Sequence, residues 1–155
     1  MQSDERWMRE ALSWADRAEA IGEVPIGAVV VIEDRVVGAG CNRPIAVHDA
    51  TAHAEINALR EACQHVGNYR LAGAVLYCTL EPCIMCLGAM IQARVDRLVF
   101  GASDPKVGAL GWIESMRQDG AIFNHRLECR GGVFAEESST KLQRFFRERR
   151  QSSNE

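Results

Sequence analysis

Two short motifs, thirty residues apart, restrict this chain more than any other feature: Thr51-Ala52-His53-Ala54-Glu55 and Glu81-Pro82-Cys83-Ile84-Met85-Cys86. Imidazole nitrogen and thiolate sulfur are the preferred ligands of Zn2+, at roughly 2.0 and 2.3 Å, so these residues act together only in a fold that makes them neighbours. Cys83 and Cys86 stand at i, i+3, which puts both sulfurs on one face of a first helical turn. Amides at a helix N-terminus favour thiolate over thiol and keep such a pair ready for metal. His53 and Glu55, two residues apart, point away from each other along a helix. Their helix is therefore expected to aim its end at the metal, with His53 binding it and Glu55 reaching past. Structural zinc is normally closed by four protein groups, whereas three ligands and a spare carboxylate describe a hydrolytic site with one position left for water.

The rest of the chain frames that pair. With 155 residues and 47% hydrophobic content, it fits one domain over 1–150 that buries its own core, and 151–155 reads as a disordered tail. Nothing after Met1 resembles the apolar run of a signal peptide, and no stretch is long and apolar enough to span a membrane. A reducing, cytoplasmic setting without disulfides is expected, leaving the thiols of Cys83 and Cys86 available. Cys41, Cys63, Cys78 and Cys129 read as small buried hydrophobes. His48, His65 and His125 read as surface or satisfied histidines.

Met8, Ala11, Leu12, Ala15 and Ala18 recur at three- and four-residue steps, which predicts an amphipathic opening helix after Ser3 that ends near Gly22. Runs 28–32 and 36–39 flank Glu33-Asp34-Arg35 as a hairpin. A helix from about Thr51 to His65, a strand over 74–79, a helix from Cys83 and a strand over 97–101 follow. A strand near 126–129 and a last helix capped by Ser138 or Ser139 and reaching Arg150 complete the order. Strands alternating with helices after a hairpin predict a mixed sheet covered on both faces, an α/β/α sandwich.

Net charge is −3, which gives no hint of a nucleic-acid partner, but its distribution is uneven. Lys141, Arg144, Arg147, Arg149 and Arg150 face only Glu148 within ten residues, a basic patch able to attract a phosphate backbone. The same stretch also reads as a solvated helix end, favoured by the dipole. Phe145 and Phe146 sit within it; one of two adjacent helical positions packs inward, and Phe145 is the candidate to stack on a base, the alternative being that it belongs to the core.

The motifs carry a resemblance. His53-Ala54-Glu55 with Pro82-Cys83-x-x-Cys86 is similar to the signature of the cytidine-deaminase-like zinc superfamily. Glu23 to Val29, Asn42-Arg43-Pro44-Ile45, Val99-Phe100-Gly101 and Asp104-Pro105-Lys106-Val107-Gly108-Ala109 narrow it to the bacterial tRNA-specific adenosine deaminases. The likeness covers nearly the whole chain, and is weak at the opening helix and between Trp112 and Glu136. It implies the three-layer α/β/α fold, one Zn2+ held by His53, Cys83 and Cys86, and Glu55 as the proton shuttle that converts adenosine to inosine. It implies a tRNA anticodon stem-loop as substrate, since loop nucleotides are splayed out more cheaply than duplex bases. A homodimer is implied as well.

Asn42 would hold the target base or ribose, although Asn before Arg43-Pro44 also fits a turn. Asp104 and Lys106 fit either RNA contact or a solvated loop pair. A deaminase of free guanine, cytosine or a nucleotide would use the same four core residues. Free cytidine deaminases commonly read Pro-Cys-Gly-x-Cys-Arg, from which Ile84-Met85-Cys86-Leu87 departs at Ile84 and Leu87. A zinc-stabilised RNA-binding module without turnover is the reading from a different class.

Overall fold

The computed structural model describes residues 2–120 and 123–154. Its five strands are β1 (Gly27–Ile32), β2 (Arg35–Cys41), β3 (Val75–Leu80), β4 (Arg97–Ala102) and β5 (Glu128–Arg130). They form one sheet in the order β2-β1-β3-β4-β5. β1 runs antiparallel to β2 and β3, whereas β3–β4 and β4–β5 are parallel, so the sheet is mixed as the element order predicts. Glu33 and Asp34, at φ 47° and 59°, close the β1–β2 hairpin through two left-handed residues, the backbone pattern of a tight hairpin turn.

Side chains alternate between two cores. Ala28, Val30, Leu76, Cys78, Leu98 and Phe100 turn to one face, where α3 (Ala54–Val66) and α4 (Ile84–Gln92) bury Ala58, Leu59, Ala62, Leu87 and Met90. Val29, Val31, Tyr77 and Val99 turn to the other, against Trp7, Met8, Ala11 and Leu12 of α1 (Gln2–Ala20). Burying each large aliphatic side chain contributes about 1.5–3 kcal/mol, so the period-two and helical stripes in the sequence set the three layers. Close approach needs glycine on both faces. A Cβ at Gly27 would run into the α1 backbone at Ala11 and Ala15, and one at Gly38 into the α3 backbone at Ala58 and Ala62. The last helix, α6 (Ala135–Ser152), lies beside α1, tied to it by Arg9–Glu137, Lys141–Asp16 and Arg144–Glu19 ion pairs.

The structure corrects several boundaries. α3 begins at Ala54, not Thr51, because the Thr51 backbone N–H and hydroxyl both donate to Asp49 Oδ1 and hold that stretch in a turn. α6 begins after Phe134, at φ 52°, so Ser138 and Ser139 lie inside the helix and cap nothing. Its end at Ser152 takes in the first two residues of the segment read as a tail. Two helices escaped the periodicity argument: α2 (Pro44–Val47) is a single turn, and α5 (Leu110–Gln118) buries only Ile113. Cys129 is exposed rather than buried, since β5 is an edge strand. His125 is satisfied as expected, its Nε2 2.6 Å from the Val95 carbonyl. Among the described residues no helix is long and apolar enough to cross a membrane.

Candidate active site

The site forms beyond the C-terminal ends of the central parallel strands, where α/β sheets open their crevices. β3 runs out into Glu81-Pro82-Cys83, and Cys83, extended at φ −75° and ψ 174°, is the N-cap of α4. Cys86 follows in the first turn and is buried. From the neighbouring helix, His53 is the N-cap of α3, and Glu55 is its second residue. Two helix N-termini thus converge, which reconciles the opposed directions of His53 and Glu55: the helix presents its end, not its side.

His53 Nδ1 lies 3.7 Å from Cys83 Sγ and 3.6 Å from Cys86 Sγ, and all three ligand atoms fall within 4.8 Å of one another. Bond lengths of roughly 2.0 and 2.3 Å at a tetrahedral angle put N and S about 3.5 Å apart, so the spacing fits one zinc ion. Hydrogen bonds from Cys86 and His53 lower the Cys83 thiol well below its usual range, while the Cys83 sulfur and burial push Cys86 up. The hydrogen bond to Cys83 raises His53. Two sulfurs and a ring nitrogen crowd so closely that shared protons or a cation must hold them together. Glu55 is 4% exposed, and burial raises its carboxyl; the neighbouring Cys78 thiol is raised further by the same cause.

His53, Glu55 and Cys83 open into a cavity of about 670 Å3. Asn42, 8% exposed, lines it, as do Asp104 and Lys106 at its rim. Asp104 is largely occupied by its own turn, its Oδ1 accepting the backbone N–H groups of Lys106 at 3.0 Å and Val107 at 3.3 Å. Phe145 does not reach the cavity. It is 6% exposed, packed edge-to-face on Phe146 with Arg149 over its ring, and cannot stack on a base; Phe146, 44% exposed, is the aromatic that lines the site.

Sequence reasoning also missed Glu81, whose Oε1 and Oε2 receive the backbone N–H groups of Asp104 and Leu110 at 3.4 and 3.5 Å, and the α6 wall of Ser139, Leu142 and Gln143. Positions 139, 142, 143 and 146 do form one helical stripe, the signal that would have found the wall. The basic patch is mostly spent within the chain. Lys141 and Arg144 pair with Asp16 and Glu19, and Arg149 donates to the Gly22 carbonyl. Arg147 and Arg150 form no ion pair among the described residues.

Fold and donor set together define a zinc-dependent deaminase, and residues 1–102 match the family model described as the cytidine and deoxycytidylate deaminase zinc-binding region. The chain is 52% identical to a tRNA-specific adenosine deaminase of Haemophilus influenzae, over 96% of this chain and 86% of that protein. A solved structure from work on A-to-I editing by tRNA A34 deaminases at the wobble position superposes with a TM-score of 0.81 at 42% identity, covering 88% of this chain and 99% of the other. A guanine deaminase from Nitrosomonas europaea shares the architecture at 25% identity and a TM-score of 0.75, over 91% and 83%. The chain belongs to the family of the tRNA-specific adenosine deaminases.

Proposed function

We propose that this chain hydrolyses adenosine to inosine at the wobble position of a tRNA anticodon loop, releasing ammonia. The observation that carries the reading is the buried Glu55 carboxylate beside the His53, Cys83 and Cys86 group, which could hold one metal ion, in a cavity open to solvent. His53 through Nδ1, Cys83 and Cys86 would hold the ion. Zinc, when bound, supplies Lewis acidity that lowers the pKa of water to about 7.

Glu55 takes one proton from the attacking water and passes it to the ring nitrogen next to the carbon under attack; it then takes the remaining proton of the added hydroxyl and hands it to the amine, which leaves as ammonia as the C–N bond breaks and the carbonyl of inosine forms. One carboxylate serves each transfer, because none of its oxygens is needed as a ligand. Asn42 donates and accepts through one amide, which suits holding the base or ribose of the extruded nucleotide. Phe146 offers a face for stacking, and Asp104 and Lys106 border the entrance. The names and identities of the relatives support RNA over a free base, as does the much lower identity to the guanine deaminase. We also propose a cytoplasmic homodimer; the outward-facing Ile84 and Trp112 supply apolar surface of the kind such an interface covers.

Ammonia release from a tRNA anticodon stem-loop, compared with free adenosine, guanine and cytosine, tests the reading. Turnover of the stem-loop with inosine at the wobble position is expected. Turnover confined to a free base would replace it with a nucleobase deaminase, and zinc-dependent RNA binding without ammonia would replace it with a binding module.

A further inference from the structure

Glu23 has no part in the chemistry above, yet it is among the most deeply buried side chains in the molecule, at 2% exposure. No ion pair reaches it among the described residues. Its Oε1 instead accepts the backbone N–H of Ala46 at 2.7 Å. Ala46 is the third residue of α2, whose own N-cap, Arg43, makes no side-chain cap hydrogen bond. A carboxylate twenty-three residues upstream thus supplies the acceptor that the helix start lacks.

The loop held in this way carries Asn42. The Asn42 backbone N–H donates to the Ile26 carbonyl at 3.1 Å, and that of Arg43 to Ala52 at 2.9 Å, directly before His53. Val24, Ile26, Asn42 and His53 all line the cavity. Segments 23–26, 42–46 and 52–53 are therefore bound edge to edge, with Glu23 as the side-chain bolt. Burying a lone carboxylate is costly, and an apolar residue of similar volume removes that cost while leaving the Ala46 N–H without its partner. What the apolar residue lacks is the acceptor.

We propose that Glu23 is a positioning residue that fixes the Asn42 loop against the cavity through the Ala46 N–H. The proposal rests on the role given to Asn42 above, and it separates fold from function in a way a structural role does not. Glu23→Leu should keep full zinc content and a melting temperature close to wild type, the relieved burial of the carboxylate offsetting the lost hydrogen bond, while KM for the anticodon stem-loop rises about tenfold and kcat stays within about threefold. Glu23→Gln keeps an oxygen in place and should bring KM back to within about threefold of wild type.

Amide hydrogen exchange at Ala46 gives a readout independent of turnover: protection is expected in wild type and Glu23→Gln, and loss of it in Glu23→Leu. If the leucine variant fails to fold, protection of Ala46 in wild type and the glutamine variant still decides. An unprotected Ala46 in wild type, an unchanged KM in Glu23→Leu, zinc loss in either variant, or a glutamine variant that behaves like leucine overturns the proposal. Wild-type inactivity on the stem-loop would instead overturn the functional reading, leaving the exchange result to judge Glu23 alone.

Discussion

Glu55 stands two positions from His53, and substitution should part their roles cleanly. Glu55→Ala is expected to retain one zinc per chain and lose at least about 100-fold in deamination, since the carboxylate moves protons and need not hold the ion. Cys83→Ala should lose metal and activity together. Elemental analysis beside turnover decides both; full zinc in the cysteine variant, or near-normal turnover in the glutamate variant, would falsify the assignments. The two phenylalanines make a similar pair. Phe146→Ala should weaken stem-loop affinity by about 1–3 kcal/mol with little change in melting temperature, because its ring is half exposed at the cavity. Phe145→Ala should cost about 3–5 kcal/mol of stability, because it empties a buried site. Affinity lost in the Phe145 variant at unchanged stability would reverse the two roles.

At the scale of elements, α1 is fastened to the sheet by one buried carboxylate. Asp4 accepts hydrogen bonds from Tyr77 at 2.9 Å and from Arg97 and Arg130 at 2.7 and 2.6 Å, joining α1 to β3, β4 and β5. Burial raises the Asp4 carboxyl, but the Tyr77 and Arg97 hydrogen bonds and the two guanidinium charges outweigh it, so its pKa falls below the ordinary 3.8. A carboxyl lowered by folding contributes stability above its unfolded value and loses it as pH falls through the folded one. Asp4→Asn should therefore cost on the order of 2 kcal/mol at neutral pH, part of the usual loss being offset by the solvent exposure of both arginines. The deficit should persist down to about pH 4 and shrink only below it. Denaturant midpoints across pH measure this, and a deficit that vanishes near pH 6 would point to another group. The link was not legible beforehand: at the N-terminus of a helix Asp4 looks like a dipole acid, and only packing brings residues 77, 97 and 130 onto it.

At the scale of the whole molecule, the proposed RNA substrate has to be held by a chain of net charge −3. Three of the five basic residues in the last helix are engaged by α1 or its C-terminal turn, which leaves Arg147 and Arg150 without an ion pair among the described residues. Replacing both by Ala should weaken stem-loop binding and reduce its salt slope by about one unit for each phosphate no longer neutralised, at unchanged melting temperature. Replacing Arg144 should loosen α6 instead; an unchanged slope in the Arg147/Arg150 variant would sink the grip. The amino-acid sequence by itself determined the Cys83–Cys86 pair, the His53–Glu55 pair and the alternation of strands, because each is a matter of spacing within one turn or one strand; that the two pairs meet was decided by the fold. Which element faces which was beyond it. Whether Phe145 or Phe146 meets the cavity, whether a basic side chain meets an acid some 125 residues away, and why Glu23 is buried without a countercharge depend on how helices settle on the two faces of the sheet. That settlement is decided by summed burial across the molecule, which no local period records.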